Sequence, residues 1–165
     1  MIKLIEIEEI GSVTEVFKSV IEDMNTKGIN QWDSVYPNEE VLCKDIQNKE
    51  AYGYYADNEM IGYVSINDKY SEEYKTVEWQ YFDNKPFIIH RLAVKSNFQG
   101  QGIAKKLIYF AENQAKTQGY KTIRLDAFSQ NPNALNLYKK LNYNYVGDVL
   151  FRKGLFHCFE KRIND

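Results

Sequence analysis

Cysteine, proline and histidine are scarce in this chain of 165 residues, which holds two, three and two of them. Cys43 and Cys158 stand far apart and outside any CxxC spacing. A disulfide framework and a zinc site therefore lack support, and a reducing, cytoplasmic setting is expected. No stretch approaches the roughly 20 consecutive apolar residues of a membrane span. Met1-Ile2-Lys3-Leu4-Ile5-Glu6-Ile7 alternates and carries charge where a secretory leader would be uninterruptedly apolar. No membrane association is expected. Internal repeats and low-complexity tracts are also missing. What remains is 44% hydrophobic, 15% aromatic and 27% charged. That is the composition of one globular domain over residues 1–165, long enough to build a core without metal or disulfide staples.

Charge is unevenly placed. Net charge is −2, yet residues 1–90 hold 8 Lys/Arg against 18 Asp/Glu, and residues 91–165 hold 13 against 5. The first part is −10 and the second +8. This split argues against general nucleic-acid binding and for a second half that meets an anion, the alternative being charges scattered over a solvated surface.

Hydrophobic spacing predicts alternating strands and helices. Ile2, Leu4 and Ile7 read as a strand, and Val13, Phe17, Val20, Ile21 and Met24 as one helix face. Gly28 to Trp32 breaks that helix, and a second starts near Asn38, after Pro37. Residues 52–56 and 60–66 read as a hairpin across Asp57-Asn58-Glu59. Residues 68–85 form a long polar connection, with an edge strand expected at 77–81. Phe87-Ile88-Ile89-His90-Arg91-Leu92-Ala93-Val94 reads as a central strand. A helical stripe runs from Ile103 to Gly119, a strand from Thr122 to Phe128, and a short helix from its cap Asn131 through Leu141. Two last strands, 145–151 and 155–161, meet across Lys153-Gly154.

The chemistry concentrates after Val94. There a strand runs through Lys95-Ser96-Asn97-Phe98-Gln99-Gly100-Gln101-Gly102-Ile103-Ala104 into the best-defined helix. Glycines let backbone N–H groups converge, and the helix start adds partial positive charge, so a phosphate-bearing ligand suits the turn. Lys95, Lys105, Lys106, Lys116, Lys121 and Arg124 are expected to keep the surroundings positive. The P-loop pattern does not occur. The dinucleotide fingerprint fails because Lys105 stands where its third glycine belongs. Taken alone, Gly100-Gln101-Gly102 reads more readily as a tight structural strand-to-helix turn.

This segment resembles the acyl-CoA loop of the GNAT superfamily of N-acetyltransferases, Q/R-x-x-G-x-G/A, with Gln99, Gly102 and Ala104 in register. Leu92-Ala93-Val94 is similar to the family's central strand, whose splayed end offers backbone groups to the pantetheine arm. Asn131-Pro132-Asn133-Ala134-Leu135-Asn136-Leu137-Tyr138-Lys139-Lys140-Leu141-Asn142-Tyr143 is similar to the family's N-x-x-A-x-x-L-Y-x-x-x-G-F segment. It departs at Asn142-Tyr143, a mild change because Asn tolerates positive φ. The resemblance covers about residues 86–150. It implies an α/β (α+β) fold, a mixed, mostly antiparallel twisted sheet with helices on both faces. It also implies acetyl-CoA as co-substrate, no metal, and a homodimer as a common assembly. The implied cofactor contacts are Leu92, Ala93, Val94, Gln99, Gly100, Gln101, Gly102, Ile103, Ala104, Lys105 and Asn131, the last of which also reads as a helix cap alone.

Under this resemblance Tyr138 is the catalytic acid. A phenol of pKa ~10 stays protonated at neutral pH and can donate to a departing thiolate whose thiol has a pKa of about 8.5. Otherwise Tyr138 is a core tyrosine. His90, two residues before Leu92, is the leading base for the attacking amine, with a packed, hydrogen-bonded histidine as the plainer reading. Glu78 is a second candidate, and His157 reads as structural. Trp32 and Tyr36 lie in the connection that helps wall the family's acceptor pocket. Their rings suit the apolar part or the cation of a substrate, or simple packing onto the sheet. The expected function is transfer of an acetyl group from acetyl-CoA to a primary amine by direct attack in a ternary complex, with a small cationic amine favoured by the acidic first half. The alternatives are a protein or peptide N-terminal acetyltransferase and a non-catalytic CoA-binding sensor module.

Overall fold

The computed structural model describes residues 1–82 and 85–164. The chain runs β1 (Ile2–Leu4), α1 (Ile10–Thr26), α2 (Glu39–Gln47), β2 (Ala51–Ala56), β3 (Glu59–Asn67), β4 (Phe87–Val94), α3 (Ile103–Thr117), β5 (Thr122–Phe128), α4 (Pro132–Lys140), β6 (Asn144–Phe151) and β7 (Gly154–Arg162). Short 3-10 turns occupy Ile7–Glu9, Glu72–Thr76 and Ser96–Phe98. This is an α/β fold on a seven-stranded, mostly antiparallel sheet of order β1-β2-β3-β4-β5-β7-β6. The chain divides into two compact units, Met1–Ile66 with Arg91–Phe110, and Asn67–His90 with Ala111–Asp165.

In the first unit β1 pairs antiparallel with β2, and β2 with β3. The β2–β3 hairpin turns through Asp57 and Asn58, both at positive φ, a backbone hand that matches strand twist. Helix α1 buries Val13, Val16, Phe17 and Val20, an i, i+3, i+4, i+7 stripe, against Ile5, Leu42, Ile46, Met60 and Tyr63. Asn38 caps α2, its Oδ1 accepting the Val41 N–H at 3.0 Å. Ile7, expected to extend the first strand, lies instead in a 3-10 turn. There the Glu9 carboxylate accepts the Glu6 N–H at 3.0 Å and draws the backbone out of the sheet.

In the second unit β5 pairs antiparallel with β7 along its length, and β6 with β7 across a bulge between Tyr145 and Gly147. β5 runs parallel to β4, with Phe87 opposite Ile123 and Ile88 opposite Arg124. Asn131 caps α4 through the Ala134 N–H at 3.3 Å, Pro132 opens the helix, and Asn142 leaves it at φ 65°. The edge strand expected at 77–81 does not form. Its backbone donors are taken elsewhere: Glu160 accepts the N–H of Gln80 at 2.6 Å and of Tyr81 at 3.4 Å. The Trp79 indole folds back to donate to the Tyr74 carbonyl at 2.9 Å.

Candidate active site

The turn after β4 is built by two left-handed glycines. Gly100 and Gly102 sit at φ 78° and 80°, and a Cβ at either would meet nothing within 4 Å. Backbone conformation, rather than crowding, therefore demands glycine, and the turn's outer side stays open. The Gln99 side chain folds back to donate to the Val94 carbonyl at 3.0 Å, which ties the turn to the strand end. The Gly102 carbonyl accepts the Lys106 N–H at 3.1 Å and starts α3. The N–H groups of Ile103, Ala104 and Lys105 then have no protein acceptor among the described residues. Such a helix start draws an anion. Underneath, Ile103 and Leu107 seat against Gly62 of β3, where a Cβ would come within 3.1 Å of Leu107 Cδ1. That close approach was not apparent in the sequence.

Not all the expected cations serve the turn. Lys95 is held by Glu59 at 2.8 Å and Glu15 at 3.9 Å. Lys106 lies 5.7 Å from the Tyr54 ring centroid, and Lys105 5.4 Å from that of Tyr109. Arg124, in the second unit, is buried with its guanidinium 4.3 Å from the Trp79 ring centroid and donates to the Tyr81 carbonyl. Lys105, Lys106 and the helix dipole remain as the turn's own positive charge.

In the second unit Tyr138 lies on α4 with its ring buried against Tyr143 and Phe159. Its hydroxyl has no hydrogen-bond partner among the described residues, yet it is not sealed from solvent. Burial, helped by the nearby Asp126 carboxylate, raises the phenol above its ordinary pKa. It is protonated at neutral pH and able to donate. His90 is half-buried, its Nε2 2.5 Å from Asn67 Oδ1. An amide oxygen only accepts, so Nε2 is the donor in this contact. Asn131 is spent at least partly on its cap. Glu78 is exposed on the 68–85 connection. Trp32 belongs to the core of the first unit, 5.3 Å from Phe17, whereas Tyr36 is 39% exposed.

Sequence reasoning missed a buried ion pair. Arg91 on β4 and Asp45 on α2 are 9% and 5% exposed. Arg91 Nε donates to Asp45 Oδ2 at 2.8 Å and Nη2 to Oδ1 at 2.6 Å. Tyr63 donates to the same carboxylate at 2.6 Å, and Arg91 Nη1 donates to the Tyr36 hydroxyl at 2.7 Å. Two signals were available: an arginine inside an apolar strand, and an aspartate at the inward spacing Leu42, Asp45, Ile46.

A model of the acetyltransferase (GNAT) family matches residues 17–143, most of the chain. The chain belongs to that family. YesJ, an uncharacterized N-acetyltransferase of Bacillus subtilis (strain 168), is 24% identical over 158 residues, 94% of this chain and 86% of YesJ. A GNAT-family acetyltransferase of Streptococcus agalactiae 2603 shares the fold at a TM-score of 0.89 and 22% identity, covering 100% of this chain and 96% of that one. The PaiA N-acetyltransferase of Thermoplasma acidophilum, solved in complex with coenzyme A, superposes at 0.76 and 20% identity over 98% of both chains. This GNAT chain is thus an acyltransferase with acetyl-CoA as co-substrate, and its open turn of N–H groups fits a diphosphate. Among the described residues no three His, Cys, Asp or Glu side chains gather as metal ligands, and no helix is long and apolar enough to cross a membrane.

Proposed function

We propose that this GNAT chain acetylates a small cationic primary amine by direct attack on acetyl-CoA in a ternary complex. The observation that carries the reading is the turn from Gln99 to Lys105, with two left-handed glycines and helix-start N–H groups that lack protein acceptors among the described residues. Those groups and Lys105 bind the diphosphate, while the backbone of Leu92, Ala93 and Val94 meets the pantetheine arm and polarises the acyl carbonyl.

The amine nitrogen bonds to the acyl carbon as the carbon–sulfur bond breaks. Tyr138 gives its hydroxyl proton to the departing sulfur and regains one from solvent. A lysine-like amine must first shed a proton, at a cost of about 4.6 kcal/mol at pH 7. His90, or a water chain, takes it. The −10 balance of residues 1–90 supports a cationic acceptor. Free Cys43 and Cys158 suit a reducing cytosol.

Release of free thiol from acetyl-CoA, measured over polyamines, aminoglycosides, amino acids and peptides, tests the reading. Turnover with diamines and none with peptides is expected. Peptide-only turnover would make the chain an N-terminal acetyltransferase, and coenzyme binding without turnover would make it a sensor. Gly102→Glu, which places bulk and negative charge in the turn, should abolish acetyl-CoA binding measured by calorimetry. Normal binding by that variant would put the diphosphate elsewhere.

A further inference from the structure

Arg91 and Asp45 make a buried pair with one contact more than pairing requires. The Asp45 oxygens are taken by Arg91 Nε and Nη2 and by the Tyr63 hydroxyl, and Nη2 also lies 3.4 Å from Ser65 Oγ. These partners satisfy the carboxylate and two of the three guanidinium nitrogens inside the first unit. The remaining nitrogen, Nη1, reaches out to the hydroxyl of Tyr36 at 2.7 Å. A buried ion pair is often no more stabilising than apolar residues of the same volume, so stability alone does not account for it.

Tyr36 lies in a segment, residues 31–37, that has neither helix nor strand. The segment closes on itself: Asp33 Oδ1 accepts the N–H groups of Val35 and Tyr36 at 2.9 and 3.1 Å, and the Asp33 N–H donates to the Tyr36 carbonyl at 3.0 Å. Trp32 anchors one end in the core, and Arg91 holds the tip through Tyr36. The Tyr36 oxygen accepts from Arg91, which fixes the direction of the phenol and so the orientation of its half-exposed ring. The guanidinium carbon sits 6.0 Å from the ring centroid, and Asp45 neutralises its charge, so the arginine does not drive a cation from the exposed ring.

We propose that Arg91 and Asp45 are positioning residues for the acetyl acceptor: they hold the Tyr36 hydroxyl and so fix the Tyr36 ring as the aromatic face that meets the alkyl chain and ammonium group of the amine. The proposal rests on the acetyl-transfer reading. It adds the device that makes one exposed loop aromatic a defined contact, and it identifies the acceptor as an alkylammonium compound.

The test uses the full chain with an amine that supports wild-type thiol release. Tyr36→Phe leaves the ion pair whole and removes only the hydroxyl. Arg91→Lys keeps the charge beside Asp45 but cannot serve both partners at once. Each change should raise KM for the amine about tenfold, with kcat and KM for acetyl-CoA within about twofold of wild type. The double variant should be no worse than either single one, because both remove the same contact. Amide hydrogen exchange over residues 31–37 should quicken in Tyr36→Phe. An unchanged amine KM, or effects of the two changes that simply add, would overturn the proposal even if exchange quickens. Unchanged exchange would show that the contact does not hold the loop. A wild-type chain that releases no thiol with any amine would instead bring down the acetyl-transfer reading itself, and a Tyr36→Phe defect confined to amine KM is the outcome that supports both.

Discussion

Tyr36 and Tyr138 are the same side chain in opposite circumstances. In the loop of residues 31–37 the ring is exposed and the hydroxyl is bound by Arg91. On α4 the ring is buried and the hydroxyl has no partner among the described residues. A phenol whose oxygen accepts from a guanidinium is fixed in place and presents its π face. A phenol whose ring is packed is fixed by that packing and leaves its hydroxyl without a protein contact. Thirteen tyrosines share one formula here, and these two meet opposite environments.

The contrast can be broken most severely at α4. Tyr138→Phe removes the donor and keeps the packing, so kcat should fall on the order of 10²- to 10⁴-fold while acetyl-CoA affinity is nearly kept. Stopped-flow thiol release with parallel calorimetry separates the two, and an undiminished kcat would take Tyr138 out of the mechanism. At the other tyrosine the severe change is one of stability. Arg91→Met strands the buried Asp45 carboxylate and should cost about 3–5 kcal/mol in urea unfolding, far more than Tyr36→Phe. Equal losses from the two would mean that the pair's weight lies in its contact with the loop.

The gentlest probe is alkaline pH. Burial is the main cause holding Tyr63, Tyr74, Tyr138 and Tyr143 above the ordinary phenol value of 10.0. The unfolded chain therefore releases these protons first. Their contribution is complete below about pH 10 and declines above it, by up to about 1.4 kcal/mol per pH unit for each tyrosine. Burial also pushes the Cys158 thiol up from 9.0 to about 12, so urea midpoints taken from pH 8 to 11 should begin to fall near pH 9 and drop more steeply beyond pH 10. A midpoint that does not fall beyond pH 10 would show these phenols to be less enclosed than they are drawn.

Much of the frame was legible because local chemistry writes it. The caps Asn38 and Asn131, the proline opening α4, and the left-handed exit at Asn142 act through neighbours two to four residues away. The stripe Val13, Phe17, Val20 and the loop pattern Gln99, Gly102, Ala104 are short-range in the same sense. One failure was local, Ile7 leaving its strand for a turn closed by Glu6 and Glu9, and the others were long-range. Residues 77–81 lost their strand to Glu160, 80 residues from Gln80. Of the two readings open for Trp32, substrate contact or packing, the core beside Phe17 is where its ring lies. Lys95, counted toward the phosphate turn, was claimed by Glu59.

By itself, then, the order of residues determined the alternation of helices and strands, the open glycine turn and the family to which they belong, since each depends on backbone preference and spacing within a few positions. Only the tertiary structure decided what Arg91 does, because its partners Asp45 and Tyr36 stand 46 and 55 residues away. A guanidinium commits its nitrogens to whichever acceptors the packed core brings within 3 Å, and no local pattern specifies which those are.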